Sequence, residues 1–284
     1  MKSKLLTLGN FALSTLRKDG VLLKKSLYGG TNFRVVLAAA ILGVPVDFVT
    51  AIGPEAAWHQ ILNTLQANNI KAVQLVPLED SISFHWYFQG NTLQRLESKN
   101  LEKMNTIAQL IDNQPDILDN YSHISIGPLG FESEKTIVNL VDPDKHVVFY
   151  IFHSSNLDNA SLENYFELFK NIDYLFLNHH EAQILTGQND IMKAGLILSK
   201  LAETCFITAE EKGLKVFQQG KFIFHLPALK VDVVNAGGAG DILAGTIISA
   251  LVKGEDLQTA CRLGVLLASI STTDFLTNNL INLI

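Results

Sequence analysis

The chain has 284 residues, of which 48% are hydrophobic and 18% charged, a balance that excludes a disordered polymer and leaves enough apolar residues for a large core. A formal net charge of −6 argues against a general nucleic-acid binder, which carries a basic patch. The two cysteines, Cys205 and Cys261, sit in apolar stretches and read as inert buried thiols, not as a disulfide framework.

The basic opening Met1–Lys4 leads into Leu5-Leu6-Thr7-Leu8, too short an apolar run for a signal-peptide core. No window approaches 18 uninterrupted apolar residues, so no membrane-spanning helix is predicted and the cytoplasm is the expected location. Leu5–Leu13 reads as a strand ending near Ser14, and Val21–Leu27 as a second, more polar strand broken by Gly29-Gly30. Val35–Leu42 has helical length and is closed by Gly43. Val46–Ile52 reads as a strand and 55–68 as a helix. Ser81–Phe88 alternates and is rich in aromatics, which predicts a strand. Helix at 101–112, strand at 123–126 and helix at 132–140 lead to His146–Phe152, a continuous apolar run expected of a strand buried on both faces. Helix at 162–169, strand at 174–177, helix at 180–185 and strand at 205–208 follow. Leu214–Phe217 and Lys221–His225 predict a hairpin around Gln218-Gln219-Gly220, and 240–252 and 257–269 are the last long helices. Alternating strands and helices predict an α/β fold with a central, mostly parallel sheet flanked by helices. The strands within 10–34 and 80–98 break that alternation and predict a small β lid on a single domain spanning 1–284.

The stretch richest in chemistry is Asn235-Ala236-Gly237-Gly238-Ala239-Gly240-Asp241, read as a glycine-rich turn between a strand at Val233-Val234 and a helix. Glycines allow close backbone approach, and the free N–H groups opening a helix bind anions. Asp241 in such a place suits a base that takes a proton from an attacking hydroxyl; a plain tight turn with Asp241 in the first helical turn reads equally well from glycine content alone. No Lys follows the glycines as a P-loop requires, and Leu243 stands where a third dinucleotide-binding glycine would be. Asn178-His179-His180-Glu181 reads by itself as a helix N-cap with its capping box. His179 and His180 point about 100° apart on a helix and share no metal easily. His59, His85, His123, His146, His153 and His225 are scattered and read as surface or core residues.

Gly238-Ala239-Gly240-Asp241 resembles the GAGD signature of the ribokinase-like, or PfkB, carbohydrate kinases, which stands before an apolar helix in the last quarter of such chains. The resemblance implies a backbone anion hole at Gly238, Ala239 and Gly240, and Asp241 as catalytic base. Asn178 and Glu181 resemble the family's N-x-x-E motif, implied to place Mg²⁺ (through water at Glu181) and the phosphates of ATP. Thr208 through Gly213 resembles its T-x-G-x-x-G segment beside the nucleotide, with Thr208, Gly213 and Asn235 on the cofactor side. Gly29-Gly30, 13 residues before Leu42-Gly43, resembles the N-terminal signature, and Ala51-Ile52-Gly53 its continuation. The family also implies a role for a monovalent cation in some members and a homodimer joined through the lid, to which the aromatic strand Phe84, Trp86, Tyr87 and Phe88 could contribute.

Four positions depart from the family pattern. Ser14 stands where an Asp grips sugar hydroxyls, Arg34 where an Asn follows the glycine pair, Asn235 where the signature opens with Asp, and Glu210 where T-x-G-x-x-G has its middle glycine. Ser14, Gly29, Gly30 and Arg34 are the expected acceptor contacts. An arginine fork suits an anionic acceptor, or Arg34 pairs with a neighbouring acid. The expected function is an ATP-dependent kinase of a sugar, sugar acid or polyol. Two alternatives stay open: a kinase-like protein that binds a ligand and catalyses little, and a kinase of nucleosides or vitamin precursors.

Overall fold

The computed structural model describes residues 5–55, 57–68, 70–90, 92–153, 161–274 and 278–284; the basic opening Met1–Lys4 and Ala56 of the predicted second helix lie outside them. In chain order the elements begin with strands β1 (Leu5–Leu8), β2 (Ala12–Lys18) and β3 (Val21–Gly29), helix α1 (Thr31–Ile41), β4 (Val46–Ile52), α2 (Ala57–Ala67), β5 (Ile70–Pro77), β6 (Ser83–Gln89) and β7 (Thr92–Lys99). They continue with α3 (Asn105–Asn113), β8 (His123–Ile126), α4 (Phe131–Leu140), β9 (Val147–Ile151), α5 (Leu162–Phe169), β10 (Tyr174–Asn178), α6 (His179–Thr186) and α7 (Ile191–Leu198). β11 (Thr204–Thr208), β12 (Leu214–Gln218), β13 (Lys221–Leu226), α8 (Ala239–Val252), α9 (Leu257–Ser271) and α10 (Asn278–Ile281) complete the chain.

Nine strands form the main sheet, in the order β13-β12-β11-β10-β9-β8-β1-β4-β5. From β5 to β11 every pairing is parallel, and β12 and β13 extend the sheet as an antiparallel hairpin. The chain starts at β1, builds outward through β4 and β5, then returns to the opposite side of β1 as β8. The strand order therefore reverses between β1 and β8, and ligand crevices of such sheets lie beyond the carboxyl ends of the strands at that point.

Apolar side chains alternate between the two faces of each strand, so each face carries its own core. On β9, Val148 and Tyr150 face a core that holds Ile107, Ile137, Leu168, Leu185 and Leu198. Phe149 and Ile151 face the other, with Val36, Trp58, Leu65, Leu243, Ile247 and Val265. The nearly continuous apolar pattern at 146–152 is thus that of a strand covered by helices on both sides, as its sequence predicts. The hairpin of β12 and β13 turns through Gln219 and Gly220, both at positive φ, as a tight two-residue connection requires.

A second sheet, in the order β3-β2-β6-β7, stands apart from the first. Its strands β2 and β6 pair in parallel and the outer pairs antiparallel. Leu16, Leu27, Phe88 and Trp86 make its own small cluster.

Three local readings are corrected. Leu5–Leu13 is not one strand. It breaks at Gly9-Asn10, and β1 and β2 belong to different sheets, because the Gly9 N–H turns to the Val49 carbonyl while that of Leu13 reaches Ile82 across the second sheet. Ser14 therefore lies within β2, not at the end of the first strand. No strand precedes the glycine turn: residues 227–238 are irregular, and Val234 and Asn235 donate instead to the Thr272 carbonyl after α9. Finally, β5, α7 and α10 fall where patterning predicts no element, whereas β7 begins within the 80–98 range expected of the lid, although its sequence, TLQRLESK, has too few apolar residues for an alternating signal.

α1 and α8 cross at unusually short range. A Cβ built on Gly245 would lie 2.6 Å from the Val35 Cα and 3.1 Å from the Ala38 Cβ, so only glycine lets the two backbones meet. Gly245→Val is expected to force the helices apart and to lower unfolding free energy by about 3 kcal/mol, the upper range for overpacking, measurable as a lower midpoint in urea denaturation.

Candidate active site

The glycine turn opens α8. Asn235 is buried, and its Oδ1 accepts the Gly237 N–H at 2.9 Å, a side-chain turn that sets the path of the loop. Gly238 follows as the N-cap at φ +87°. Only glycine serves there, both for that φ and because a Cβ would run into Nε and Cζ of Arg34. The N–H groups of the first helical turn have no intrahelical acceptor, and a Cβ at Gly240 would meet no atom within 4 Å. Gly240 thus opens the helix N-terminus to space suited to an anion, while Gly238 lies against the Arg34 side chain and the Ala239 N–H donates to the Ala236 carbonyl at 3.2 Å.

Asp241 sits in that first turn, with its side chain 18% exposed. Arg34, on α1, donates from Nη1 to the Asp241 Oδ2 at 3.0 Å. Two residues 207 apart in sequence meet because α1 and α8 cross. α1 is in turn tied to β1: Asn32 Nδ2 donates to the Leu8 carbonyl at 3.0 Å and to Thr7 Oγ1 at 3.1 Å, and its N–H to Asn10 Oδ1 at 3.3 Å. Ser14, Gly29 and Arg34 converge here: a Cβ at Gly29 would stand 3.1 Å from Ser14 Oγ and 3.9 Å from Arg34 Nη2. Gly30 caps α1 at φ +103°.

Asn178 and Glu181 close a capping box at the start of α6. Asn178 Oδ1 accepts the Glu181 N–H at 2.9 Å, and Glu181 Oε2 accepts the Asn178 N–H at 2.8 Å. Asn178 and Thr208 are register partners at the carboxyl ends of β10 and β11. Beyond Thr208, Ala209 and Gly213 close a short loop through the Ala209 N–H to Gly213 carbonyl bond of 2.8 Å. Glu210, where the family pattern has glycine, keeps a left-handed backbone at φ +48° with its side chain exposed.

A cavity of about 220 Å³ lies beyond the carboxyl ends of β1 and β8, lined by Asn10, Phe84, Leu101, Met104, Leu129 and His153 among others. None of these was among the expected acceptor contacts, which lie next to Asp241 instead. His153 is the group that joins the two places. Burial pushes its imidazole below the ordinary histidine value, Asp241 pulls it back up and Arg34 pushes it down. It follows β9 by two residues, and its position past the end of a buried strand was the only signal in the sequence; the reading of it as a surface or core residue did not place it at a cavity. Among the described residues no group of three or more His, Cys, Asp and Glu could hold a metal ion, and none of the helices is long and apolar enough to cross a membrane.

The turn, the base position and the two-sheet topology have counterparts in known proteins, and the profile of the pfkB family carbohydrate kinases matches residues 25–282. The chain belongs to the PfkB family. With the family comes the class of enzyme, a phosphotransferase with an alcohol group as acceptor. A curated relative, the cytidine kinase of Thermococcus kodakarensis, is 26% identical over 271 residues, 92% of this chain and 93% of that one. The crystal structure of ribokinase from Thermotoga maritima superposes with a TM-score of 0.80 at 17% identity, covering 99% of this chain and 96% of that one. A ribokinase II candidate from E. coli, solved with ATP and Mg²⁺, superposes with a TM-score of 0.79 at 16% identity, over 99% and 97% of the two chains. These structures establish the ribokinase-like fold of this PfkB member.

Two measurements follow. Glu210→Gly is expected to stabilise the protein by about 1 kcal/mol, because a non-glycine residue in the left-handed region costs roughly that much; thermal melting of the variant checks it, and a lower midpoint would contradict it. His153 is depressed in the folded state relative to the unfolded value near 6.5. The unfolded chain therefore binds the proton first, and its contribution is complete above that value and lost as pH falls through it. His153→Gln is expected to flatten the fall in stability between about pH 7 and pH 5, read by urea denaturation across that range. His123, depressed mainly by burial and partly offset by Asp173, leaves a residual slope in the variant.

Proposed function

We propose that the chain transfers the γ-phosphoryl of ATP to a hydroxyl on the sugar part of a small molecule, with Asp241 as general base and the backbone of Gly238, Ala239 and Gly240 as anion hole. The observation that carries this reading is the placement of Asp241 in the first turn of α8, directly after Gly240, where the helix N-terminus is open. Phosphoryl transfer needs little covalent chemistry from a protein and much positioning and charge stabilisation. A carboxylate that orients the attacking hydroxyl and a helix N-terminus that receives the phosphoryl oxygens meet those needs.

The nucleotide side is assigned to Asn178, Glu181, Thr208, Gly213 and Asn235. The short loop at 209–213 follows the end of β11, beside the end of β10 that carries Asn178, and the proposed path of the triphosphate runs from there to the glycine turn. Glu181, near Mg²⁺ through water, fits an ion that keeps several waters when bound, although one of its oxygens is already committed to the capping box. Mg²⁺ would supply charge neutralisation on the phosphates. A monovalent cation, a cytoplasmic location and a dimer through the second sheet stay expectations from the family resemblance.

On the acceptor side, Ser14 replaces the family's carboxylate, and the cavity walls are largely apolar: Phe84, Leu101, Met104 and Leu129. Asn10, Glu102 and His153 are its polar points. Such a wall favours an acceptor carrying a flat ring beside its sugar hydroxyls over a free sugar, acid or polyol, in keeping with the cytidine kinase relative. The reading of a binding protein with little turnover has less support, since Asp241 and the glycine turn are both intact.

ADP release from ATP and Mg²⁺ across sugars, sugar acids, polyols and nucleosides tests the proposal. Nucleosides are expected to be turned over. Asp241→Asn is expected to lower kcat about 10³-fold, within the range for a lost general base, while leaving the melting temperature close to that of the parent protein. Unchanged turnover in the variant would remove Asp241 from the mechanism.

A further inference from the structure

A carboxylate beside an anion hole poses an electrostatic problem. The ionised base repels the phosphoryl oxygens that its neighbouring amides must attract, and at short range in a partly desolvated site that repulsion is large. Arg34 occupies the place where it can be offset. The residue is 5% exposed, and one N–H edge of its guanidinium holds the Asp241 Oδ2 at 3.0 Å. Its Nε and Cζ lie flat against the backbone of Gly238, so close that a side chain there would overlap them. Its Nη2 extends toward Gly29 and Ser14. The guanidinium thus spans the base and the first residue of the anion hole together.

We propose that Arg34 is a catalytic residue that stabilises the phosphoryl group in flight and orients Asp241, acting as an arginine finger supplied by the chain itself. The inference rests on the kinase reading of Asp241. The acceptor oxygen forms a bond to the γ-phosphorus. The bond from that phosphorus to the bridging oxygen breaks, and its electron pair leaves with ADP. The hydroxyl proton passes to Asp241. Arg34 exchanges no proton; with Oδ2 held by the arginine, Oδ1 is the oxygen that faces the acceptor. A planar fork can grip a carboxylate on one edge and approach phosphoryl oxygens with another, which an asparagine in the same position could not do.

Its setting separates this role from recognition of an anionic acceptor. Arg34 does not line the cavity assigned to the acceptor, and its guanidinium bonds Asp241 and stands against Gly238. Its place is set by the α1–α8 crossing at Gly245, where the Arg34 carbonyl itself lies 3.2 Å from a built Cβ, so the main chain at 34 is fixed relative to α8.

The test compares the parent protein with Arg34→Gln, Arg34→Lys and Asp241→Asn, each first checked for its melting temperature and for ADP binding by calorimetry. Arg34→Gln is expected to lose about 10³-fold in kcat, the lower end for an arginine finger, with acceptor and ATP KM changed by no more than about threefold. Arg34→Lys, which keeps charge but not the fork, is expected to recover about tenfold of that loss. Independent of turnover, ADP with aluminium fluoride is expected to bind Arg34→Gln at least about tenfold more weakly than the parent, while ADP alone binds equally. Three results would overturn the proposal: near-parental kcat in Arg34→Gln, a rise in acceptor KM at unchanged kcat, or equal weakening of ADP and of ADP with aluminium fluoride. An inactive Asp241→Asn beside an active Arg34→Gln sinks the arginine role alone. Equal activity of the parent and Asp241→Asn sinks the kinase reading of Asp241 and this inference with it.

Discussion

The close crossing of α1 and α8 is the contact on which the site depends. Gly245 removes the side chain that would hold the two helices apart, and Val35 and Ala38 fill the space. Arg34 stands at that crossing on α1, its carbonyl against Gly245, and Asp241 stands one turn before Gly245 on α8. Neither helix brings a charge near the other by local sequence, and their ion pair exists because apolar packing below it has already set the distance. The pair in turn avoids the heavy cost of leaving a buried charge without a partner.

β1 anchors the same arrangement from below. Asn32 links α1 to the end of β1 through Thr7 and Leu8, and donates its own N–H to Asn10 Oδ1. β1 is the strand from which the order of the sheet runs both ways, so its end borders the crevice that the parallel topology creates. The strand break at Gly9-Asn10, which divides one apolar stretch between two sheets, places Asn10 in the wall of the cavity that Phe84 of the second sheet also lines.

The departures from the family pattern fall into two physical kinds. Asn235 and Glu210 sit in turns of defined backbone form. Asn235 closes the side-chain turn before the glycines with its carbonyl oxygen, and Glu210 holds a left-handed backbone at some conformational cost. Ser14 and Arg34 instead change charge, removing a carboxylate from one place and adding beside Asp241 a cation that pairs with it.

Composition, the two hydrophobic periodicities and the order of strands and helices determined that the chain is an α/β protein with a mostly parallel sheet, because buried parallel strands such as 146–152 demand apolar residues on both faces. The turn at 235–241 was legible for the same local reason, since glycine and asparagine are the residues that such a backbone permits, and the capping box at Asn178 and Glu181 spans only three residues. What lay beyond the sequence was every feature made by residues far apart. The division of Leu5–Leu13 between two sheets, the cavity of Asn10, Phe84, Met104 and His153, and the pairing of Arg34 with Asp241 all follow from how layers stack. Periodicity says which face of an element is buried, but only the packed tertiary structure decides what that face meets.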